Sequence, residues 1–238
     1  MTPWLRARLV LDRVVALVGA ILTAPLVVAV ALLIRREDGG PPLIAVTRVG
    51  RDGRPFRMWK LRSMRTSRAD GLAPGPQLTT GDDPRITRIG RRIRSTHVDE
   101  LPQLLNVVKG DMLLLGPRPE APEFVDLDSP VWRIVLSVPP GIAGPTQVIV
   151  NDWEREVISE DDDSSGYPTK VLPVKLAIDQ WYLEHCTPVT DVLVAITLVR
   201  RFLPGTGSWT LKQRVLRAVP EARVPIEHGA AAESAPVS

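Results

Sequence analysis

The longest apolar run in the chain lies near its N-terminus, where 21 consecutive residues from Val14 to Ile34 carry no charge. At 1.5 Å per residue, a helix of this length matches the hydrocarbon core of a bilayer, which is about 30 Å thick. Pro25 lies near the middle of the run, and arginines flank both ends, which the positive-inside rule draws to the cytoplasm. The pattern predicts a re-entrant membrane segment within residues 1–38, with a spanning, a cleaved or a buried core helix as open alternatives.

Downstream of this run, shorter periodic segments predict one compact, helix-rich α+β domain. Residues 43–64 have the pattern of a short β-hairpin around a turn at residues 51–54. A short apolar strand or turn is predicted at Met112–Leu115, between loops rich in proline and glycine. The predicted helical segments are Thr87–Arg94, Leu101–Val108, Val174–His185 and Val189–Leu203.

Polar segments interrupt and end this domain. Residues 69–84 lack periodicity and are predicted to form a loop, as is the acidic stretch Asp152–Asp163, which lacks the glycine and terminal glutamate of a calcium loop. Residues 209–219 alternate apolar and basic side chains, which suits an amphipathic helix at the membrane interface or one packed on the core. Residues 220–238 are predicted to be a disordered tail, which leaves residues 39–219 for the domain.

Composition narrows the chemistry that this domain can support. The chain has 238 residues with one cysteine and three widely separated histidines, which excludes an internal disulfide and the usual zinc spacings. Polar chemistry is therefore expected to depend on carboxylates. The formal net charge is only +3, but positive charge is concentrated in one part of the chain. The segment from Arg48 to Arg94 contains 13 basic and four acidic residues.

This basic segment is suited to bind the phosphate groups of lipids, nucleotides or nucleic acid. Nucleic acid is the least favoured partner, because the chain has no recognition motif and a membrane segment precedes the basic residues. A solvated face beside anionic lipid explains many of the arginines equally well. Four residues are candidate phosphate ligands, since each lies in a motif with proline, aromatic or carboxylate residues: Lys60, Arg62, Arg94 and Arg118.

A pair of adjacent carboxylates, Asp99 and Glu100, lies between Arg94 and Lys109. Such a pair among fixed cations can hold Mg²⁺ on a diphosphate while one oxygen attacks phosphorus. A helix N-terminus is the simpler explanation from spacing alone, because acidic residues complement the helix dipole and Pro102 suits a first turn. The spacing leaves both interpretations open.

Several longer motifs together resemble the bacterial sugar transferases, which are monotopic polyprenyl-phosphate phosphoglycosyl transferases. The similarity runs from about Arg6 to Leu203 and includes the proline-containing apolar segment. The motifs that carry it are RVGRDGRPF at 48–56, KLRSM at 60–64, DELPQLLNVVKGDM at 99–112 and GPRPE at 116–120. The resemblance implies a re-entrant membrane helix and a catalytic domain over residues 39–219 on the cytoplasmic face of the inner membrane.

The resemblance also implies a reaction. A sugar 1-phosphate would pass from a UDP-sugar to polyprenyl (undecaprenyl) phosphate with release of UMP, which initiates exopolysaccharide or glycan assembly. Asp99 would be the nucleophile that forms a covalent phosphosugar intermediate, and Glu100, together with Asp99, would bind Mg²⁺. The residues that would contact the substrates or their phosphates are Lys60, Arg62, Arg94, Pro117, Arg118, Glu120 and Asp179.

Two departures from the family pattern concern the membrane segment and the substrate. Ala24-Pro25 replaces the usual Ser-Pro, and Pro145 with the acidic stretch alters the region after residue 140, which leaves the identity of the sugar open. Two rival functions stay open as well. One is a non-catalytic scaffold that binds anionic lipid, in which Asp99 could be replaced without effect, and the other is a phosphotransferase that acts on another lipid. A homodimer is an open alternative for the oligomeric state.

Overall fold

The computed structural model describes residues 2–66, 70, 72, 83–160, 166–200 and 209–226. The predicted loop at 69–84 lies mostly outside these residues, as do residues 227–238 of the predicted tail. The α-helices are α1 (Pro3–Asp38), α2 (Arg88–Ser95), α3 (Leu104–Lys109), α4 (Pro130–Val135), α5 (Pro145–Ile149), α6 (Asn151–Glu160), α7 (Leu172–Glu184), α8 (Pro188–Arg200) and α9 (Trp209–Ala218). The strands are β1 (Leu43–Val49), β2 (Pro55–Leu61), β3 (Leu113–Leu115) and β4 (Gly141–Ala143). These elements confirm the prediction of a helix-rich α+β chain.

The two short sheets hold the loops of the domain in place. β1 and β2 pair antiparallel from Leu43 opposite Leu61 to Val49 opposite Pro55, which confirms the predicted hairpin. The turn between them places Asp52 at φ +56°, a left-handed conformation that aspartate adopts more readily than most residues. β3 lies in a segment that was predicted as a strand or turn. Its parallel pairing with β4 was not predicted, because the segment around Pro139-Pro140-Gly141 had the composition of a loop.

Gly90 lets the first turn of α2 lie against the backbone at Ser63. A Cβ added to Gly90 would stand 1.9 Å from the Ser63 carbonyl oxygen, so that one of the two segments must move. We expect Gly90→Ala to lower the free energy of unfolding by roughly 1–3 kcal/mol, measured by thermal unfolding of the detergent-purified protein. Gly19→Ala is the matched control, because its Cβ would meet the Leu104 side chain at an ordinary 3.5 Å. An equal loss of stability in both variants would contradict this account of the packing.

Helix α1 is attached to the globular part of the chain at both ends. Arg8 and Asp12 are buried near its start, and the carboxylate of Asp38 at its end accepts hydrogen bonds from Arg62. Between these attachments α1 is long and apolar enough to cross a membrane by length and composition. Only 6% of its most apolar 18-residue window is buried, so the alternative of a buried core helix is wrong. The helix continues on both sides of Pro25.

The main hydrophobic core forms where α7 packs against α4, α5 and α9. Ile178 and Tyr182 of α7 are fully buried there, as are Leu211 and Val215 of α9. The apolar face of α9 therefore packs on the core, and the interfacial alternative is wrong for these side chains. The chain then continues through a 3-10 turn at Pro220–Ala222 to Ile226, which is also buried. The predicted start of a disordered tail at residue 220 is therefore too early.

Other helix boundaries differ from the predicted ones. Part of the predicted acidic loop forms α6, because Asp152 and Glu154 complement the dipole at the helix start and Val157 packs into the core. The predicted helix at Leu101–Val108 divides into a 3-10 helix, Val98–Gln103, and α3. The remaining predicted helices are confirmed as α2, α7 and α8.

Candidate active site

The turn that carries the two adjacent carboxylates is fixed to the β-hairpin. The 3-10 helix Val98–Gln103 follows His97, whose left-handed φ of +56° sets the direction of the chain just before Asp99. One turn later, Asn106 accepts a 3.0 Å hydrogen bond from the Trp59 amide and donates one of 2.8 Å to the Arg57 carbonyl. Because Trp59 lies in β2, this buried amide holds the carboxylates close to Lys60, the next residue of the strand.

Glu100 is paired with two cations. Lys60 Nζ donates to Glu100 Oε1 at 3.0 Å, and the Arg118 guanidinium donates to Oε1 at 2.5 Å and to Oε2 at 3.3 Å. Burial acts to raise the pKa of Glu100, but Arg118 and Lys60 outweigh it and hold the pKa well below its usual range. The Glu100 carboxylate is therefore ionised, with both oxygens bound.

Asp99 lies in a contrasting environment although it is the adjacent residue. Burial raises its pKa above the usual range, the positive charges of Lys60 and Arg94 oppose that shift, and the negative charge of Glu100 adds to it. Arg94 therefore acts on Asp99 from the last turn of α2, while its predicted role as a phosphate ligand stays a prediction. Two neighbouring carboxylates whose pKa values are driven apart are typical of sites in which each group has a separate role.

A cavity of about 140 Å³ adjoins this pair. Four cationic side chains line it: Arg48, Lys60, Arg118 and Lys175. Lys60 and Arg118 also bind Glu100, so the cavity and the carboxylate pair share one wall. Guanidinium and ammonium groups that converge on a small cavity are suited to bind phosphate groups.

Part of the cavity lining is a buried ionic cluster centred on Lys175. Its ammonium group lies 2.7 Å from Glu120 Oε1 and 3.3 Å from Glu154 Oε1, and it donates to the Tyr167 hydroxyl at 2.8 Å. Burial acts against the charge of Lys175, but the two glutamates outweigh it and raise its pKa well above the usual range. Burial likewise acts to raise the pKa of Glu120, and Lys175 reverses that effect and lowers it. The predicted site residue Glu120 therefore shapes the cavity as a fixed anion.

Three residues that were predicted to contact the substrates lie in surroundings that do not suit this role. All three guanidinium nitrogens of Arg62 are bound, by the carboxylate of Asp38 and by the Pro41 carbonyl at 2.7 Å, so Arg62 fastens the end of α1 instead of binding phosphate. Pro117 is buried, and its carbonyl accepts a 2.8 Å hydrogen bond from the Gly141 amide, which supports the loop that carries Arg118.

Asp179 is the third of these residues. Burial raises its pKa well above the usual range, against the opposing charge of Lys175. Its Oδ1 atom has no hydrogen-bond partner among the described residues. A buried acid whose neutral form is favoured is a poor ligand for phosphate or metal, and Asp179 is not among the residues that line the cavity.

Four residues of the cavity lining were not predicted from the sequence: Arg48, Glu154, Tyr167 and Lys175. Arg48 was grouped with the solvated basic face, and Glu154 belonged to a predicted loop. Lys175 precedes Asp179 by four residues in a predicted helix, so the two share a face, and this spacing was the one available signal. Tyr167 had no signal, because its partners come from distant segments.

The carboxylate pair fits a divalent cation only in a limited way. Among the residues that the structure describes, no group of three or more His, Cys, Asp or Glu side chains could hold a metal ion. Asp99 and Glu100 supply two carboxylates. Mg²⁺ is usually bound through one or two carboxylates together with substrate phosphates, so the pair suits a magnesium ion shared with a diphosphate.

Comparisons with known proteins show which proteins this chain resembles. The chain is 35% identical over 201 residues to the UDP-N-acetylgalactosamine-undecaprenyl-phosphate N-acetylgalactosaminephosphotransferase of Aeromonas hydrophila, covering 83% of this chain and 44% of that protein. It is 46% identical over 142 residues to the UDP-glucose:undecaprenyl-phosphate glucose-1-phosphate transferase of Caulobacter vibrioides, covering 58% of this chain and 52% of the relative. The chain thus spans about half the length of these two relatives.

The similarity includes a relative of comparable length. The uncharacterized sugar transferase EpsL of Bacillus subtilis is 30% identical over 208 residues, which cover 84% of this chain and 90% of EpsL. The family model described as bacterial sugar transferase matches residues 4–205, a range that includes α1, the hairpin, the carboxylate pair and the cavity. By this match the chain belongs to the bacterial sugar transferase family.

Proposed function

We propose that this protein transfers a sugar 1-phosphate from a UDP-sugar to polyprenyl phosphate, with undecaprenyl phosphate as the natural carrier, and so initiates the assembly of a glycan such as an exopolysaccharide. The observation that carries the proposal is the contrast between Asp99 and Glu100 beside a cavity with four cations. The names of the Aeromonas and Caulobacter relatives support the same type of reaction.

The proposed reaction has two steps at one carboxylate. An oxygen of Asp99 attacks the phosphorus next to the sugar, the bond from that phosphorus to the bridging oxygen breaks, and UMP leaves with that oxygen. A phosphate oxygen of the polyprenyl carrier then attacks the same phosphorus, which breaks the bond to Asp99 and forms the diphosphate product. Burial favours the attack, because a carboxylate with a raised pKa is less solvated and more basic than an exposed one.

The cations have separate tasks in these steps. Lys60 and Arg118 keep Glu100 ionised and reach the cavity at the same time, so they are placed to bind the oxygens of the transferred phosphate. Arg94 would stabilise the charge near Asp99. Mg²⁺, bound by Glu100 and Asp99 together with the substrate, would neutralise charge on the diphosphate.

The attachment of α1 supports a place for the domain at one membrane surface. Both ends of the helix are fastened to the same globular part, by Arg8 and Asp12 at one end and by the pair of Asp38 with Arg62 at the other. The most exposed apolar side chains lie between them, with Ile21 at 65% and Leu22 at 74%. A re-entrant helix with the domain on the cytoplasmic face of the inner membrane fits this arrangement better than a span with the domain at one end.

The first experiment measures UMP release from a panel of UDP-sugars by the detergent-purified protein with Mg²⁺ and undecaprenyl phosphate. The panel includes UDP-N-acetylgalactosamine, UDP-glucose and UDP-galactose. We expect repeated turnover with at least one donor only when the carrier is present, because without it each enzyme molecule can release no more than one UMP. No release from any donor would favour the lipid-binding scaffold, and release with another lipid phosphate in place of the carrier would favour the rival phosphotransferase.

The pH dependence of the reaction follows from the raised pKa of Asp99. Asp99 attacks only when it is ionised, and its charge is lost at a higher pH than the value of about 4 for an ordinary aspartate. Glu100 stays ionised over the same range. We expect kcat/KM for the UDP-sugar to fall as the pH is lowered, with an apparent pKa above about 4.

Arg94 provides the matched test of this explanation. Its charge lowers the pKa of Asp99, so Arg94→Gln should move the acid limb of the profile to higher pH. Arg91→Gln changes an exposed arginine on the same helix and should leave the limb where it is in the wild type. Two results would contradict the assignment of the acid limb to Asp99. One is an acid limb with the apparent pKa of an ordinary aspartate, and the other is an equal shift of the limb in both variants.

A further inference from the structure

The cavity beside the carboxylate pair also has lining residues that do not suit a phosphate group. Lys60 and Arg118 supply the positive charge that phosphate oxygens need. The same lining includes the carboxylate of Glu154 and the aromatic rings of Phe124 and Tyr167. A carboxylate repels phosphate oxygens and accepts hydrogen bonds from hydroxyl groups, while aromatic rings offer flat apolar faces. These three side chains therefore suit an uncharged, ring-shaped part of a ligand that carries hydroxyl groups.

Contacts with Lys175 hold these three side chains together. The Lys175 ammonium group donates to the Tyr167 hydroxyl at 2.8 Å and lies 3.3 Å from Glu154 Oε1. The ring of Tyr167 in turn packs against that of Phe124, with ring centroids 4.9 Å apart. Lys175 itself is 5% exposed, so it connects them from inside the protein. The carboxylate and the two rings therefore form one fixed part of the cavity lining, as a ligand site requires.

Glu154 is the carboxylate of this lining that can accept a further hydrogen bond. Glu120 is the closer partner of Lys175, at 2.7 Å against 3.3 Å for Glu154, and its side chain is the less exposed, at 13% against 23%. The contact of Glu154 with Lys175 uses Oε1, and Oε2 has no hydrogen-bond partner among the residues that the structure describes. A carboxylate with one unpaired oxygen beside a cavity is suited to accept from a donor group of the ligand.

We propose that Glu154 is a specificity-determining residue that accepts a hydrogen bond from a hydroxyl group of the transferred sugar, while the sugar ring packs on the neighbouring aromatic rings. The proposal rests on the proposed function, which places the phosphate next to the sugar at Lys60 and Arg118. Size favours the sugar over the nucleoside. A cavity of about 140 Å³ is smaller than the roughly 300–1,000 Å³ of sites for drug-sized ligands, so it suits one sugar ring better than a base with its ribose.

Equilibrium binding of UDP-sugars tests this assignment without turnover. The full chain with Asp99→Asn is purified in detergent with Mg²⁺, and dissociation constants are measured for UDP, UDP-N-acetylgalactosamine, UDP-glucose and UDP-galactose. UDP has the nucleotide but no sugar, so it shows which half of the donor a substitution affects. Glu154→Ala and Glu154→Gln are each added to this protein, and thermal unfolding verifies that both variants fold. Glu156→Ala is the matched control, because Glu156 is an exposed glutamate on the same helix.

We expect Glu154→Ala to weaken binding of the tightest-binding UDP-sugar by about 10- to 100-fold, the range for a lost hydrogen bond to a charged group, and binding of UDP by less than about twofold. Glu154→Gln should lose less affinity, because its amide oxygen still accepts a weaker bond, and Glu156→Ala should change neither constant.

Two results would overturn the proposal. Equal weakening for UDP and the UDP-sugar would assign Glu154 to the nucleotide, and unchanged binding of both would remove it from the substrate site. A failure of the proposed reaction has a different signature. In that case the UDP-sugar binds and depends on Glu154, but the wild-type protein releases no UMP from it, which contradicts the transfer and leaves the sugar contact in place.

Discussion

Asp99→Asn is expected to lower kcat/KM for UMP release by roughly 10⁴-fold or more, the scale seen when an enzyme loses its covalent nucleophile. The amide has the shape of the carboxylate but has no anionic oxygen to attack phosphorus. The substitution also removes a buried carboxylate that burial makes costly to ionise, so the variant should be at least as stable as the wild type. The measurement is steady-state UMP release, with thermal unfolding as a check on folding.

Asp179→Asn is the matched control for this prediction. Asp179 is a buried carboxyl group as well, but burial raises its pKa well above the usual range and so favours the neutral form, which asparagine resembles in charge and shape. We expect this variant to keep most of its activity. An active Asp99→Asn protein would support the scaffold hypothesis, and a loss that is confined to Asp179→Asn would move the nucleophile to that residue.

Arg8→Ala is expected to cost about 3–5 kcal/mol of the free energy of unfolding, the range for breaking a buried charge pair from one side. Arg8 is 2% exposed and binds Asp12 at 2.9 Å, Asp191 at 3.1 Å and the Tyr182 hydroxyl at 3.0 Å. Its loss leaves two buried carboxylates that repel one another without the cation that joins them. Thermal and denaturant unfolding in detergent, followed by circular dichroism, measure the change.

Arg6→Ala controls for the loss of an arginine from the same helix. Arg6 is exposed, so its replacement should change the free energy of unfolding by no more than about 0.5 kcal/mol. Similar small losses for Arg6→Ala and Arg8→Ala would show that the network around Arg8 does not hold α1 to the domain. The wider arrangement of α1 and α8 would then need another explanation.

Arg8 also shows where sequence patterns are ambiguous. In the sequence it is one of three arginines that precede the apolar run. There it was interpreted as a positive charge that keeps this end of the run on the cytoplasmic side. In the structure it is buried inside the protein, because its partners Tyr182 and Asp191 come from helices more than 170 residues away. Only Asp12, four residues on in the same helix, could have been identified from spacing.

The elements that were predicted well are those that local chemistry determines. The hairpin follows from a turn at Asp52-Gly53 between β-forming segments, and α2 follows from the Thr87 side chain, which caps the helix by accepting from the Gly90 amide at 2.8 Å. The carboxylate pair was found because its motif is contiguous in sequence. The orientation of α9 was left open, because an amphipathic pattern does not distinguish a lipid surface from a protein core.

Much of the cavity lining could not be predicted, because it is assembled from separate segments of the chain. Arg48 comes from β1, Glu120 from the loop after β3, Glu154 from α6 and Lys175 from α7. The acidic stretch that departs from the family pattern supplies Glu154, so that departure reaches the cavity itself. The identity of the sugar stays open, as the departure from the family pattern indicates.

The most direct test of the central claim is isotope exchange between labelled UMP and the UDP-sugar without any polyprenyl phosphate. A covalent intermediate on Asp99 predicts that label enters the UDP-sugar, that Asp99→Asn abolishes the exchange, and that the peptide with Asp99 gains the mass of the sugar phosphate. Full turnover with the carrier but no exchange without it would contradict the account, because the sugar phosphate would then pass directly from donor to acceptor.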